Sequence, residues 1–281
     1  MDDRFTLPLR DPALYVIIGA AGGGKTRIAA AFPRSWRLSL DACRARVADN
    51  AGSQTATPAA LAVFDAALAG RLDNGLSTVI DNTSTERAHR AGLIERAHRH
   101  GLLAVAIVAR TSLTVCQARQ AARPDNLQVP AHVIEDQHQG VPSTQQLLSE
   151  GFDQAYDADR LDLMRLLLER SAAAGLDTFA DVRATFGPDL ATVFAFDPDG
   201  EDSRGAFTVA GRTVAARWSD DGEPFDHHWQ AQLTDTCPDC GRALWARVTG
   251  AQDLLNVYTG QTGKLLDDPL CPVCDTPDYA A

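Results

Sequence analysis

Short apolar runs alternate with stretches of helical periodicity through the first 160 residues. Five such runs predict strands, at 14–18, 37–40, 77–80, 102–109 and 152–156. The stretches between them predict helices at 26–32, 57–69, 85–100 and 113–122, with another beginning near Pro130. Strands that alternate with helices are typical of a parallel sheet flanked by helices on both faces. The sequence therefore predicts an α/β fold over residues 1–160.

The pattern changes beyond residue 160. A leucine-rich stretch predicts one helix from about 161 that ends near Gly175, and residues 192–218 predict short strands. Two of these, 206–210 and 212–218, are predicted to pair around Gly211, after an acidic loop at 197–204. We therefore expect an acidic α+β connecting region over 161–225, followed by a small unit over 226–281.

Composition places the chain among cytoplasmic proteins. Hydrophobic residues make up 45% of it, yet the longest apolar run, 102–109, is far too short to span a bilayer. The first residues, MDDRFTLPLRDP, lack the basic-then-apolar pattern of a secretory signal. We therefore predict a cytoplasmic protein without a membrane partner.

Charge is distributed unevenly along the chain. Residues 1–150 carry 16 basic and 14 acidic residues, whereas 151–281 carry 10 basic and 23 acidic residues. The contrast indicates two parts with different roles and assigns any polyanion-binding surface to the first part. An acidic surface that only keeps the protein dissolved is the alternative explanation for the second part.

A glycine-rich stretch follows the first predicted strand. Residues 19–26, GAAGGGKT, match the phosphate-loop pattern G-x-x-x-x-G-K-[ST] between a predicted strand and a predicted helix. The glycines that allow backbone N–H groups to turn toward phosphate oxygens are Gly19, Gly22, Gly23 and Gly24. Lys25 is predicted to reach the β- and γ-phosphates of ATP, and the Thr26 hydroxyl to bind Mg²⁺.

Asp81 ends the third predicted strand. An acid after an apolar strand is the usual position of the second carboxylate on the magnesium side of such a site. The alternative is a helix cap or a loop residue.

Asp41 directly follows the second predicted strand, and Arg44 lies three residues later, at the start of the next helix. Ligands of open α/β sheets bind at the carboxyl ends of the strands, where the phosphate loop also lies. Asp41 could there accept the proton of an attacking hydroxyl, and Arg44 could bind a substrate phosphate. Spacing alone is equally compatible with a helix N-cap at Asp41 and a surface charge at Arg44.

Arg119 and Arg123 are four residues apart and share one face of a predicted helix, just before the loop at 124–130. Arginines near such a loop can close over the γ-phosphate and offset charge in the transition state. A solvated basic face is the alternative.

Together and in this order, these stretches resemble the kinase domain of the 5′-hydroxyl polynucleotide kinases of bacterial end healing and of phage. The resemblance rests on residues 19–26, 38–44, 78–83, 119–124 and 129–130, and it extends over about 13–158. It implies that Asp41 is the general base and that Arg44 binds the phosphate beside the acceptor hydroxyl. It also implies that Lys25 and Thr26 serve ATP and metal, and that Arg123, with Arg119, contacts the γ-phosphate.

The resemblance predicts a nucleic acid 5′-OH end as the acceptor. Only 6% of the residues are aromatic, which favours a shallow contact with the terminal few nucleotides over a long single-stranded site. Two other functions remain open at this point. One is a kinase for a nucleoside, another small metabolite or a modified-base hydroxyl, and the other is an ATP-binding switch or ATPase whose tail docks a partner.

Four of the six cysteines form two Cys-Pro-x-Cys pairs near the end of the chain, Cys237 with Cys240 and Cys271 with Cys274. In a reducing compartment such pairs indicate metal rather than disulfides. Two tight turns that each present two thiolates provide the four-sulfur site that Zn²⁺ prefers. We predict a structural zinc in a zinc-ribbon-like unit, with an iron–sulfur site or unligated thiols as alternatives.

Overall fold

The computed structural model of this 281-residue chain describes residues 12–175, 185, 204–209, 212–220, 227–248, 251–259, 271, 273 and 274. Two compact units divide the chain: one extends to Leu161 and the other runs from Asp162. The first unit holds the phosphate loop and the second holds the cysteine pairs. The predicted limit of the first domain, residue 160, lies next to the observed division.

The first unit contains a five-stranded parallel sheet of order β2-β3-β1-β4-β5. The strands are β1 (Ala13–Ile18), β2 (Arg37–Leu38), β3 (Thr78–Asp81), β4 (Leu103–Val108) and β5 (Gln154–Asp157). In the register of the central strand, Val16 lies opposite Ile80 of β3 and Ala106 of β4. All six residues of β1 are buried, as expected of the central strand of a sheet covered on both faces.

Seven helices flank the sheet among the described residues of this unit. They are α1 (Lys25–Ala29), α2 (Leu40–Ala48), α3 (Thr57–Asp73), α4 (Arg87–Arg99), α5 (Leu113–Ala121), α6 (Ala131–Gln139) and α7 (Thr144–Glu150). This arrangement confirms the predicted α/β class. It also places the loops after β1 and β3 at the same edge of the sheet, because the strands are parallel.

The core of the first unit is divided by the sheet. Alternate residues of β1, beginning with Leu14, join a large cluster that includes Phe64 and Leu68 of α3 and Leu93 of α4. Tyr15 lies on the opposite face of the strand, where its ring packs against Phe32 with ring centroids 5.0 Å apart. Both faces of β1 are therefore fixed by packing, and the phosphate loop starts from a rigid strand.

Local polar residues shift several predicted boundaries. The predicted strand at 37–40 ends after Leu38, because the Ser39 hydroxyl accepts a hydrogen bond from the Ala42 N–H (3.0 Å) and begins α2 at Leu40. Helix α1 ends at Ala29, three residues before the predicted end. Helix α7 was not predicted, since it has only seven residues. Its Ser143–Gln146 capping box was a usable sequence signal.

The second unit contains a four-stranded antiparallel sheet of order β6-β7-β8-β9. Its elements are α8 (Leu163–Ala173), β6 (Arg204–Val209), β7 (Arg212–Asp220), β8 (His227–Thr236), β9 (Ala243–Val248) and α9 (Ala251–Thr259). Strands β6 and β7 pair nearly as the sequence predicts, whereas Gly211 and most of the predicted loop at 197–204 lie outside the described residues. Because β7 pairs with β8, the stretches 161–225 and 226–281 contribute to one sheet.

None of the helices among the described residues is long and apolar enough to cross a bilayer.

Candidate active site

The phosphate loop connects β1 to α1. Gly24 caps the amino end of α1 with a left-handed backbone (φ 85°), and Gly22 has φ 79°. A Cβ atom at Gly22 would collide with the backbone of Cys116 in α5, so both conformation and space require glycine there. The first N–H groups of a helix have no acceptor within it. The amino end of α1 therefore points free donors toward the space enclosed by the loop.

Two of the predicted phosphate-binding glycines use their N–H groups within the protein. The Gly19 N–H donates to the Thr83 carbonyl, and the Gly23 N–H donates to the Ala20 carbonyl, both at 3.0 Å. These bonds fix the path of the loop. Gly19 and Gly23 therefore shape the loop, while Gly24 and the residues after it lie where phosphate oxygens would bind.

Lys25 is half-buried beside its own loop, and its Nζ donates to the Ala20 carbonyl at 2.8 Å. Burial lowers the pKa of the Lys25 amine, and the charge of Arg123 acts in the same direction. Asp81 and Asp41 oppose this shift by stabilising the ammonium form. The charges of both acids and of Arg123 therefore act at the phosphate loop.

Thr26 and Asp81 are brought together across the sheet edge. The Thr26 hydroxyl donates to Oδ2 of Asp81 at 3.1 Å, and Asp81 is the last residue of β3. Burial raises the pKa of the Asp81 carboxyl, although Lys25 and the Thr26 hydroxyl partly offset the rise. A hydroxyl and a half-buried carboxylate at hydrogen-bond distance are oxygen ligands of the kind that Mg²⁺ prefers, so this pair fits the ion.

Three side chains from the α5–α6 side hold consecutive residues of the phosphate loop. Gln137 of α6 accepts from the Ala21 N–H (2.9 Å), Nη1 of Arg119 donates to the Gly22 carbonyl (3.2 Å), and the Thr111 hydroxyl donates to the Gly23 carbonyl (2.8 Å). Sequence reasoning found only Arg119, and it assigned that residue to phosphate binding. Thr111 and Gln137 lie 88 and 116 residues from their partners, and no local motif marks them.

Asp41 lies in the first turn of α2, not at a strand end as the sequence predicts, and Ser39 is the N-cap. Nη1 of Arg44 contacts Oδ1 of Asp41 at 2.6 Å, and Nε of Arg44 donates to the Thr57 hydroxyl at 3.1 Å. The Arg44 side chain is 12% exposed, whereas that of Asp41 is 70% exposed. Arg44 is therefore a packed residue that orients an open carboxylate, which differs from an isolated surface charge.

Asn82 links the magnesium side of the site to α2. Asn82 directly follows Asp81, and Leu40 directly precedes Asp41. The Asn82 Oδ1 accepts a hydrogen bond from the Leu40 N–H at 2.9 Å. The negative charge of Asp41 contributes to the raised pKa of Asp81. One side chain thus joins the carboxyl end of β3 to the amino end of α2, a role that the sequence did not reveal.

Residues 122–130, which we call the lid segment, connect α5 to α6 and carry Arg123. Gln120 is buried in α5, and its Oε1 accepts from the Val129 N–H at 3.2 Å, which joins the two ends of the segment. Arg123 is exposed and makes no ion pair with any described residue. Its positive charge nevertheless lowers the pKa of Lys25, so the guanidinium is available near the phosphate loop.

The four predicted zinc ligands converge in the second unit. The sulfur atoms of Cys237, Cys240, Cys271 and Cys274 all lie within 4.8 Å of one another. Two of the separations are 3.8 Å, between Cys237 and Cys274, and 3.4 Å, between Cys240 and Cys271. Sulfurs at the corners of a zinc tetrahedron with 2.3 Å bonds are about 3.8 Å apart, so the group fits the ion.

Backbone donors around Cys271 also suit a metal site. The Cys274 N–H and, next, the Val273 N–H lower the pKa of the Cys271 thiol to about 7. The first of these hydrogen bonds is 3.4 Å long. The turn thus favours the thiolate form at Cys271, whereas hydrogen bonds with the Cys240, Cys271 and Cys237 side chains raise the pKa of the Cys274 thiol.

A cavity of about 470 Å³ lies away from these residues, between α4 and α7, and none of the predicted site residues lines it. Arg90 lies at its base, where Nε and Nη2 each contact Glu150 at 2.7 Å. Nη1 of Arg90 donates to the carbonyls of Ser84 and Thr85. The hydrogen-bonding capacity of this arginine is thus used within the protein, and we assign it a structural role.

Comparison with known proteins agrees with the α/β fold of the first unit but does not identify a reaction. Residues 14–144, just under half of the chain, match the family AAA_33, described as an AAA domain. No curated protein matches the sequence.

Two similar solved structures are a candidate kinase from Chloroflexus aurantiacus and a gluconokinase from Sinorhizobium meliloti. The first has 17% identity and a TM-score of 0.43, and the alignment covers 57% of this chain and 97% of that one. The second has 20% identity and a TM-score of 0.36, with 57% and 90% covered. The sheet order, the phosphate loop and the flanking helices make the first unit a P-loop α/β domain.

Proposed function

We propose, from the P-loop α/β domain, that this chain is an ATP- and Mg²⁺-dependent kinase that transfers the γ-phosphate to a hydroxyl of nucleic acid, specifically a 5′-OH end. The observation that carries the proposal is the carboxylate of Asp41. It is open to solvent, oriented by Arg44, and close enough to the phosphate loop for its charge to act on Lys25. A protein that only binds or hydrolyses ATP has no need of a base directed toward an acceptor.

The donor side of the proposed site consists of the phosphate loop and the Thr26–Asp81 pair. The amino end of α1 and the Lys25 ammonium would bind the phosphates of ATP. Thr26 and Asp81 would hold Mg²⁺, and the ion would offset the negative charge of the phosphates. Burial lowers the pKa of Lys25, and the carboxylates of Asp81 and Asp41 oppose that shift by favouring the ammonium form.

The acceptor side consists of α2 and the lid segment. Asp41 would accept the proton of the attacking hydroxyl, and Arg44 would hold that carboxylate in place and contact the neighbouring phosphate of the acceptor. Arg123 would offset charge on the transferred group. Arg119 would act indirectly, because its guanidinium donates to the Gly22 carbonyl.

The charge distribution supports a nucleic acid acceptor. The stretch from Lys25 to Arg46, which includes the edge strand β2, holds six basic residues and one acidic residue, Asp41. Arg27, Arg34 and Arg46 of this stretch are exposed, and exposed positive charge favours a phosphodiester chain over a neutral sugar.

The decisive experiment incubates the chain with γ-labelled ATP and separate acceptors: 5′-OH DNA, 5′-OH RNA, modified-base DNA and nucleosides. We expect label on a 5′-OH oligonucleotide and none on the same oligonucleotide with a 5′-phosphate. Labelling of nucleosides or another small hydroxyl compound alone would replace the nucleic acid acceptor with a small metabolite. Acceptor-independent hydrolysis without any transfer would replace the kinase with an ATPase.

We also propose that the four cysteines bind one structural Zn²⁺ in the second unit. The support is the convergence of four sulfurs in a group whose separations match a tetrahedral site. A site with four protein ligands has no open position, so the metal would stabilise the unit without taking part in transfer. Four reduced thiolates also suit a cytoplasmic location, which we propose as well.

The zinc proposal predicts about one zinc per chain by metal analysis of the purified protein. Cys271→Ser should lose that metal, whereas Cys116→Ala, which changes a buried thiol of the first unit, should retain it. Protein purified with zinc present that carries no metal above background would contradict the proposal.

A further inference from the structure

The loop that follows α2 approaches the lid segment at Gly52. A Cβ atom there would overlap the backbone oxygen of Asn126 and lie 3.3 Å from Cδ2 of Leu127. Gly52 is not one of the glycines with a positive φ, so its backbone conformation is open to alanine. The close approach of the lid segment is therefore the reason that this position has no side chain.

The lid segment is tied together internally, so a shift at Asn126 moves its neighbours. The Leu127 N–H donates to the Pro124 carbonyl at 2.8 Å. Nε2 of Gln128 donates to the Arg123 carbonyl at 2.8 Å and to the Asp125 carboxylate at 3.2 Å. Through these bonds, the position of Arg123 depends on where the tip of the segment rests.

The other partner in the contact is the direct continuation of α2. Asp49 ends α2 in a left-handed conformation, and the Asn50 side chain accepts from the Gly52 N–H at 2.9 Å. Helix α2 carries Asp41 and Arg44. The Gly52 contact thus joins the element with the proposed base to the segment with the proposed transition-state arginine.

We propose that Gly52 is a positioning residue: its contact with Asn126 fixes the lid segment so that Arg123 faces the γ-phosphate while an acceptor is bound at Asp41. This inference rests on the proposed kinase function. Gly52 contacts neither ATP nor acceptor in this scheme, and it acts through Arg123. The missing side chain therefore serves transfer rather than the folding of its own loop.

Gly52→Ala tests the inference. The added methyl displaces the tip of the lid segment by about 1 Å, since carbon and oxygen atoms do not approach within about 3 Å. Misplacement on that scale lowers rates by up to about 100-fold, so we expect kcat to fall by about 10- to 100-fold. The Kd of ATP should change by less than about threefold, because the phosphate loop is unaffected and only the transition-state contact is lost.

Two comparisons separate positioning from general damage. Gly70→Ala adds the same methyl in α3, where nothing lies within 4 Å, and should leave kcat and Kd unchanged. In an Arg123→Ala background, Gly52→Ala should lower kcat by less than about twofold, because the group through which it acts is absent. A full 10-fold or larger loss in that background, or wild-type kcat in the single variant, would overturn the inference.

The contact can also be tested without an acceptor. Hydrogen exchange at the Leu127 and Val129 amides, measured with a non-hydrolysable ATP analogue and Mg²⁺, should be faster in Gly52→Ala than in Gly70→Ala. Equal exchange would overturn the contact itself. A wild-type chain that labels no acceptor, combined with faster exchange in Gly52→Ala, would refute the kinase function and leave the lid contact in place.

Discussion

The donor side and the acceptor side of the site are held in different ways. On the donor side, the N–H groups of Gly19, Ala21 and Gly23 and the carbonyls of Gly22 and Gly23 are hydrogen-bonded within the protein, and Thr26 pairs with Asp81. On the acceptor side, Asp41 is 70% exposed and Arg123 is exposed on a surface segment. The donor side is thus rigid before any ligand binds, whereas the acceptor side depends on a few side-chain contacts.

This difference indicates how the two sides contribute to specificity. A rigid cradle suits a ligand such as ATP, whose phosphates are the same in every cycle. An exposed base beside an exposed arginine suits an acceptor that must enter and leave while attached to a larger molecule. Substitutions on the donor side should therefore lower both ATP hydrolysis and phosphoryl transfer. Substitutions on the acceptor side should lower only phosphoryl transfer.

The largest effect is expected on the donor side, from Lys25→Met. Loss of the ammonium removes a charged donor from both the bound phosphates and the transition state, so transfer should fall by about 10³-fold or more. ATP hydrolysis should fall in parallel, and the Kd of ATP should rise. Labelled transfer, phosphate release and fluorescent nucleotide binding measure these three quantities. Transfer that falls while hydrolysis persists would place Lys25 on the acceptor side and contradict this division of roles.

Asp41→Asn should give the opposite pattern. The amide cannot accept the acceptor proton, and we expect transfer to fall by about 10²- to 10³-fold, since a loose transition state requires modest help from a base. The Kd of ATP and acceptor-independent hydrolysis should stay near wild type. Asp49→Asn, at the opposite end of α2, is the matched control and should transfer normally. Undiminished transfer by Asp41→Asn would refute the proposed mechanism.

The donor side was also the more predictable from sequence, for a physical reason. The phosphate loop, β1 and α1 are adjacent in the chain, and the glycine spacing follows from local backbone geometry. Asp81 was found because a carboxylate at the end of an apolar strand is a local pattern, and its contact with Thr26 agrees with that interpretation. Likewise, the alternating pattern was sufficient for the parallel sheet.

Residues that act across long sequence separations were missed. Thr111 and Gln137 support the phosphate loop from other elements, and Gly52 meets the lid segment at its tip. Gln120 was missed as well, although its partner Val129 is only nine residues away. Each is a common residue type in an unremarkable stretch, and its role depends on which atoms folding brings near it. The exact start of α2 was missed for the reverse reason: a single hydroxyl, that of Ser39, outweighed an apolar run.

The smallest effect is expected at Thr111, which supports the phosphate loop from outside it. Thr111→Val removes one hydroxyl that donates to the Gly23 carbonyl and keeps the shape of the side chain. One neutral hydrogen bond contributes about 1 kcal/mol, so the Kd of ATP should rise by about fivefold. Because the loop binds ATP before either reaction, transfer and hydrolysis at low ATP should decline equally, and saturating ATP should restore both.

Thr111→Ser retains the hydroxyl and should bind ATP as the wild type does. A selective loss of transfer in Thr111→Val would mean that the Thr111 hydrogen bond also affects the acceptor side, so that the two sides do not act independently.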